Sequence, residues 1–233
     1  MLKPKRRLKR REIKEDKFVT FIANASDFFS ENSRNIIMGG GALILIVAVV
    51  FFMMKSKQNA NLSISAKLLR AEELYHQNQY DASIPILQQL VDEYSGGILK
   101  ALRPKNAGIA TYYLAKANYA KENYTEAKRY FAMYNDDYAD DVLFVSASHA
   151  GIAACYAIEG DKEKAAEAYQ KAFDENPNSF SAPEFLFSAA NNHIELKNIA
   201  KAQTLLQKII DSFETSPIAQ DARLLLAEIS KKS

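Results

Sequence analysis

The chain has 233 residues with 30 Lys or Arg and 28 Asp or Glu, so its formal net charge at pH 7 is +2. Hydrophobic residues make up 48%, enough for a packed core, and the scarcity of Gly (8) and Pro (6) favours helices over strands or disorder. The single cysteine, Cys155, excludes an internal disulfide, and neither it nor the three histidines show a short metal-ligand spacing. We therefore expect a helical chain that uses no metal or cofactor.

The first 35 residues form a basic segment, with ten Lys or Arg against five Asp or Glu. Seven of these basic residues fall within the first eleven positions, where no acidic residue occurs. Such a block is typically a solvated tail that sets the direction of a following membrane span. It is also suited to contact anionic lipid or the RNA of a ribosome.

Apolar residues recur at helical spacing near the end of this segment. They are Phe18, Phe21, Ile22, Ala25 and Phe29. The pattern predicts either a short amphipathic helix on the membrane surface or an upstream extension of the next helix.

Residues 36–54 form an apolar run of 19 residues without a charge, IIMGGGALILIVAVVFFMM. An α-helix rises about 1.5 Å per residue, so this run would form a helix about 28 Å long. That length is close to the roughly 30 Å hydrocarbon thickness of a bilayer. A buried helix of a soluble domain is seldom so long without a polar residue. A cleaved signal peptide is disfavoured because the run exceeds a typical signal core and no small-x-small cleavage site follows it. The run therefore predicts a retained transmembrane helix.

The charges beside the span predict its orientation. Basic residues are denser before the span than after it, where Lys55 and Lys57 come first. Because the more basic flank stays in the cytoplasm, residues 1–35 are expected there and residues 55–233 on the outer side of the membrane.

Residues 61–233 contain an internal repeat. Four similar phrases occur: QYDASIPILQQL (79–90), NYTEAKRYFAMY (123–134), DKEKAAEAYQKA (161–172) and NIAKAQTLLQKI (198–209). Aligned on one small residue in each, they lie 44, 38 and 37 residues apart, slightly above the 34-residue tetratricopeptide period. The phrases resemble the tetratricopeptide repeat family, which implies an all-α solenoid of about four helix pairs, each made of a helix A and a helix B.

Small residues at fixed positions would let the two helices of each pair approach closely. On helix A they are Ala71, Ala115, Ala153 and Ala190, and on helix B they are Ser83, Ala127, Ala165 and Ala202. After the fourth pair, Pro217 begins an apolar pattern that predicts a C-terminal capping helix, which a solenoid needs to cover its last core. The stretch 95–105 predicts an insertion between the first two pairs.

The resemblance also implies a groove, since the family binds ligands on the concave face formed by its A helices. The residues it places there include Leu68, Tyr75, Ile109, Tyr112, Lys116, Tyr119, Phe187 and Asn191. Some relatives hold a C-terminal carboxylate there with several basic and amide side chains. Only Lys116 and Asn191 are of that kind in this chain, so a carboxylate clamp is not expected. The apolar, tyrosine-rich surface suits protein partners, or its residues pack against the cap or the insertion.

Patterns typical of enzymes are missing from the sequence. There is no phosphate-binding glycine loop, no GxSxG and no HExxH. The acidic residues between 136 and 141 lack the glycine turn of a calcium loop and are expected to be a solvated loop. We therefore expect a binding protein with no catalytic residues and no metal site.

The stretch Asp27-Phe28-Phe29-Ser30-Glu31-Asn32, followed by a glycine-bearing span, resembles the YfgM family. That family is an ancillary subunit of the bacterial SecYEG translocon. The resemblance implies an inner-membrane protein that binds a PpiD-like periplasmic chaperone or exported polypeptides. A structural or assembly subunit of another envelope complex is the alternative, because residues 213–222 also resemble tetratricopeptide proteins of outer-membrane and cell-wall machinery.

Overall fold

A computed structural model of the chain describes residues 19–22, 24, 28, 30–94 and 103–232. Within these residues the secondary structure is helical and contains no β-strand. The chain divides into two compact units, Met1–Lys55 and Ser56–Ser233. The predicted all-α fold class is therefore confirmed.

The first unit contains the apolar run of the sequence. Helix α1 (Ser33–His76) begins in this unit, and residues 36–54 lie within the helix. The side chains of Leu43, Ile44 and Phe52 are 65–70% exposed, so the protein itself does not bury this run. By length and composition α1 is a possible membrane span.

Upstream of α1, the described residues 19–22, 24, 28, 30 and 31 are helical and Asn32 forms a turn. Phe21 and Ile22 are exposed. Phe18, Ala25 and Phe29 lie outside the described residues, as do the first eleven residues, which form the basic tail. The choice between an amphipathic helix and an extension of α1 therefore stays a prediction.

The second unit is a series of helix pairs. The C-terminal part of α1 pairs with α2 (Tyr80–Tyr94). The next two pairs are α3 (Lys105–Ala120) with α4 (Tyr124–Asp137) and α5 (Val142–Glu159) with α6 (Lys162–Glu175). They are followed by α7 (Ala182–Glu195) with α8 (Ile199–Ser212), and by α9 (Pro217–Lys232). Each helix from α2 onward packs against the next, which is the pattern of an α-solenoid.

The predicted small residues lie where the two helices of each pair meet. All eight have no exposed surface: Ala71, Ala115, Ala153, Ala190, Ser83, Ala127, Ala165 and Ala202. A side chain of this size lets two helix backbones approach without leaving a cavity. The burial predicted for these small residues is confirmed at each position.

Helix α9 is the cap. It packs against α8 and α7, and its residues Ala219, Ala222 and Ile229 are buried in the same core as Leu206 and Ile209 of α8. The prediction of a capping helix is therefore confirmed. Its apolar face covers the core that the fourth pair would otherwise expose.

The turns inside the four pairs share one backbone geometry. The residue seven positions after the small helix A residue has a positive φ in all four turns: Asn78 (59°), Glu122 (61°), Gly160 (86°) and Lys197 (60°). The next backbone N–H then donates to a carbonyl five residues earlier, for example Asn198 to His193 at 2.8 Å. This is the Schellman ending of a helix, which satisfies carbonyl groups that the helix leaves without partners.

The connection between the first two pairs lies mostly outside the described residues, which resume at Arg103. The Arg103 guanidinium pairs with Asp137 at 2.7 Å and lies 5.8 Å from the centre of the Tyr138 ring. This nearly buried pair fixes the residues before α3 against the end of α4. Helix α3 begins at Lys105, the last residue of the stretch predicted to be an insertion.

Candidate partner-binding groove

The A helices α1, α3, α5 and α7 carry the residues predicted to line a groove. Leu68 on α1 is only 5% exposed and belongs to the core, so it supports the surface without lining it. The other seven are half-buried and retain accessible surface: Tyr75, Ile109, Tyr112, Lys116, Tyr119, Phe187 and Asn191.

Three tyrosines and one lysine from α1 and α3 form a cluster that we call the tyrosine cage. The rings of Tyr75 and Tyr113 lie 5.4 Å apart and nearly perpendicular, and those of Tyr112 and Tyr113 lie 6.0 Å apart. The Lys116 Nζ atom lies 5.0 Å from the centre of the Tyr75 ring and 5.7 Å from the other two. The structure thus gathers Tyr75, Tyr112 and Lys116 from the predicted set and adds Tyr113.

Tyr113 was not among the residues predicted from the sequence. It follows Tyr112 directly, so on a helix its side chain is rotated by about 100° toward the neighbouring α1. In the sequence, the adjacent tyrosines at 112 and 113 are the pattern that could have indicated its role. The ring of Tyr113 also contacts that of His76 at 6.0 Å, which extends the aromatic surface toward the end of α1.

Burial changes the titration of these groups. It raises the pKa of Tyr112 to about 12 and lowers the pKa of the Lys116 ammonium, because a buried site disfavours the charged form. Burial also raises the pKa of Glu72, on the neighbouring turn of α1, against the opposing effect of His76. The cage is therefore a partly dehydrated site in which a second charge would be weakly screened.

Tyr112 links the cage to the next repeat. Its ring lies 4.8 Å from that of Phe144 on α5 and 5.8 Å from that of Phe131 on α4, in edge-on contacts. Such aromatic pairs add about 0.5–1.5 kcal/mol beyond the area that they bury. Tyr112 is thus held rigidly, and the Lys116 stem lies beside it.

Helix α5 continues the same surface with small side chains. Four alanines of its predicted groove face keep accessible surface: Ala147, Ala150, Ala154 and Ala157. Leu143 and Ile158, near the two ends of the helix, are 60% and 53% exposed. We call this face of α5 the alanine floor; it presents about three turns of apolar surface without a charge.

The remaining predicted residues lie apart from the cage. Tyr119 contacts the ring of Tyr124 at 5.6 Å, and Phe187 on α7 packs against the core of the last repeats. Within the described residues, no ring, cation or hydrogen-bond contact joins Phe187 or Asn191 to the cage. The structure therefore defines two separate parts of the predicted set, one on α1 and α3 and one on α7.

Two models of the tetratricopeptide repeat match this sequence, one over residues 68–142 and the other over residues 151–179 and 184–216. These ranges contain residues of all four helix pairs. The chain is a tetratricopeptide repeat protein. Members of this fold are generally non-enzymatic scaffolds for protein interaction, so the chain is expected to bind proteins.

Solved structures give the same fold. A tetratricopeptide repeat protein from Parabacteroides merdae aligns with a TM-score of 0.58 and 16% identity, over 73% of this chain and 61% of that one. A putative kinesin light chain with tetratricopeptide-like repeats from Podosopora anserina aligns with a TM-score of 0.56 and 15% identity, over 72% of this chain and 85% of that one. A comparison with curated proteins finds no match.

The tetratricopeptide fold also forms a cleft that the sequence did not indicate. It has a volume of about 820 Å³ and lies between α4, α5 and α6, with Val145, His149 and Ile152 at its base. His149 is 8% exposed, and its ring lies 3.3 Å from the Asn135 side-chain nitrogen and 3.9 Å from a Glu175 oxygen. Burial, with a smaller contribution from Lys171, lowers the pKa of His149.

Cys155 and the acidic loop give no sign of chemistry. Cys155 has no exposed surface, and burial raises the pKa of its thiol to about 11, so the reactive thiolate is scarce at neutral pH. Asp141 caps α5 by accepting a hydrogen bond from the Leu143 N–H at 2.9 Å. Across the described residues, no group of three or more His, Cys, Asp or Glu side chains could hold a metal ion.

Proposed function

We propose that this protein is a membrane-anchored scaffold that binds other proteins through the tyrosine cage and the alanine floor. One observation carries the proposal: aromatic side chains on α3 and small apolar side chains on α5, a helix that contacts α3, keep accessible surface. Tyrosine offers a large rigid contact area with a polar tip, which suits a protein partner.

We further propose that residues 36–54 anchor the scaffold in a bacterial inner membrane. Residues 1–35 would lie in the cytoplasm and residues 55–233 in the periplasm. Support comes from the apolar, exposed run in α1 and from the basic segment that precedes it. An anchored scaffold meets other membrane-bound proteins at a raised effective concentration without new contacts.

In the inner membrane, the protein would be an accessory of the SecYEG translocon. Its partners would be a PpiD-like periplasmic chaperone or exported polypeptides. The support is the resemblance of residues 27–32 and the following span to the YfgM family. The basic tail would add contacts to anionic lipid or to a ribosome on the cytoplasmic side.

The test is photo-crosslinking in intact cells from the full-length chain. A photo-reactive residue at Ala154 on the alanine floor is compared with one at Lys201, which is exposed on the B helix α8. Position 154 is preferred to Tyr112, whose ring packs against Phe131 and Phe144. Translocon subunits, a periplasmic chaperone or many exported proteins joined to position 154 alone would support the proposal.

Two results would contradict it. Equal adducts from both positions would show that the groove is not the binding surface. A single envelope-assembly partner at position 154 would leave the scaffold but replace the translocon role with assembly of another envelope complex.

A further inference from the structure

We propose that Lys116 forms an ion pair with an acidic side chain of the partner, while an apolar face of the same segment lies on the alanine floor. This inference rests on the proposed function, because it names the chemistry of the segment that the groove binds. The partner segment is thus apolar with one Asp or Glu placed over the cage.

Lys116 has no anionic partner among the residues that the structure describes. In the described part of the chain, no carboxylate oxygen lies within 4 Å of its Nζ atom, although the side chain is half-buried. Glu72 belongs to the same surface but does not reach it. A half-buried ammonium has lost part of its hydration, and that loss is costly unless another group replaces the water.

Other half-buried lysines of the same fold do have a carboxylate partner. Lys128 also lies over a tyrosine ring, 4.5 Å from the centre of Tyr156, and it additionally pairs with Glu159. Lys162, which is similarly buried, pairs with Glu195 at 2.9 Å. Lys116 has the aromatic contacts of Lys128 without the carboxylate.

The tyrosine cage replaces only part of the lost hydration. A cation over an aromatic ring is stabilised by the ring quadrupole, which is a weaker interaction than pairing with a full negative charge. Burial also lowers the pKa of Lys116, because the half-buried ammonium has lost part of its hydration. A carboxylate beside Lys116 would stabilise the charged form of its ammonium, and the surrounding rings would screen the attraction only weakly.

The surroundings select the kind of anion. Nucleic acid and anionic lipid surfaces are bound by clusters of basic residues, and Lys116 is a single cation among tyrosines. A chain terminus held as a carboxylate would need several donors around it. The alanine floor next to the cage carries no charge, so it fits the uncharged face of a segment that continues past its acidic residue.

The experiment is zero-length crosslinking of the full-length protein in native membranes with a water-soluble carbodiimide. The reagent joins an amine to a carboxylate only when the two are in contact. Lys128 and Glu159 supply an internal positive control, because that pair is formed within the fold. Mass spectrometry then identifies the carboxylate joined to Lys116.

The expected result is an amide bond between Lys116 and an Asp or Glu side chain inside a partner sequence. The Lys116→Arg variant should lose this bond and still bind, because a guanidinium pairs with the carboxylate but is not joined by the reagent. In the Lys116→Gln variant, adducts from the photo-reactive residue at Ala154 should fall at least about fivefold. Changing the partner's acidic residue to Lys should restore binding to Lys116→Glu.

Other outcomes separate this inference from the proposed function. Unchanged adducts at position 154 in Lys116→Gln, with the Lys128–Glu159 control intact, would overturn the ion pair and keep the scaffold. Joining of Lys116 to a C-terminal carboxylate would overturn the side-chain assignment. If position 154 gives no adducts when Lys116 is unchanged, both the ion pair and the proposed function would be overturned. Circular dichroism melting shows whether Lys116→Gln is folded.

Discussion

The Ser83 hydroxyl donates a hydrogen bond to the Ala71 carbonyl oxygen at 2.8 Å, across the two helices of the first pair. The other three pairs have alanine at the position of Ser83, so this bond is not needed for close packing. We expect Ser83→Ala to lower the free energy of unfolding by about 1 kcal/mol or less, and Ser83→Val by about 1–3 kcal/mol because the added methyl groups overpack the site. Thermal unfolding of the full chain in detergent checks both, and a larger loss in Ser83→Ala would contradict the packing argument.

Gly151 allows α5 to lie against α4. A Cβ atom at this position would come within 2.4 Å of the Phe131 ring. We expect Gly151→Ala to destabilise the protein by about 1–3 kcal/mol, in spite of the higher helix propensity of alanine. Phe131→Leu in the same chain should recover part of that loss, because the shorter side chain frees the space. A Gly151→Ala variant with unchanged stability would show that α4 and α5 lie further apart.

The four positive-φ turns offer a backbone test. Lys197 adopts φ 60° without being glycine, and Gly160 adopts φ 86° in the equivalent turn. We expect Lys197→Gly to stabilise the fold by up to about 1 kcal/mol and Gly160→Ala to destabilise it by about 1–2 kcal/mol, because only glycine enters this region without steric cost. Chemical denaturation measures both changes. The same sign for the two substitutions would contradict a shared turn geometry.

Much of this fold could be predicted because helix pairing leaves a periodic trace. Ala71 and Ser83 are recognisable by their 12-residue spacing, which recurs in each repeat, and their burial follows from it. The site was less predictable because it depends on side chains from different repeats. Tyr113 and Lys116 meet Tyr75 across a sequence gap of about 40 residues, and no local pattern specifies that contact. Leu68 occupies a groove position in the repeat pattern but packs inward, since its neighbours Ile64 and Ala71 are buried on the same side.

His149 gives the stability of the protein a pH dependence. The polar groups around its ring are Asn135 and Asp136 on α4 and Lys171 and Glu175 on α6. Burial has the largest effect and lowers the pKa of His149 in the folded protein below the unfolded value of about 6.5. The unfolded chain then binds more protons as the pH falls below that value, so the free energy of unfolding decreases. Burial also lowers the pKa of His193, which adds to the trend. Stability measured from pH 7.5 to pH 5 should fall less steeply in His149→Gln, whereas an unchanged slope would assign the trend to other groups.

The proposed topology predicts which positions an impermeant thiol reagent reaches in intact cells. Cys155 is fully buried and should remain unlabelled in the folded protein, so single cysteines can be introduced against a silent background. Asn198→Cys, in an exposed turn of the repeats, should react from outside once the outer membrane is permeabilised. Arg6→Cys in the basic tail should react only after the inner membrane is disrupted, because the denser positive charge keeps that flank in the cytoplasm. Labelling of position 6 but not position 198 would reverse the orientation, and labelling of neither before lysis would place the repeats in the cytoplasm.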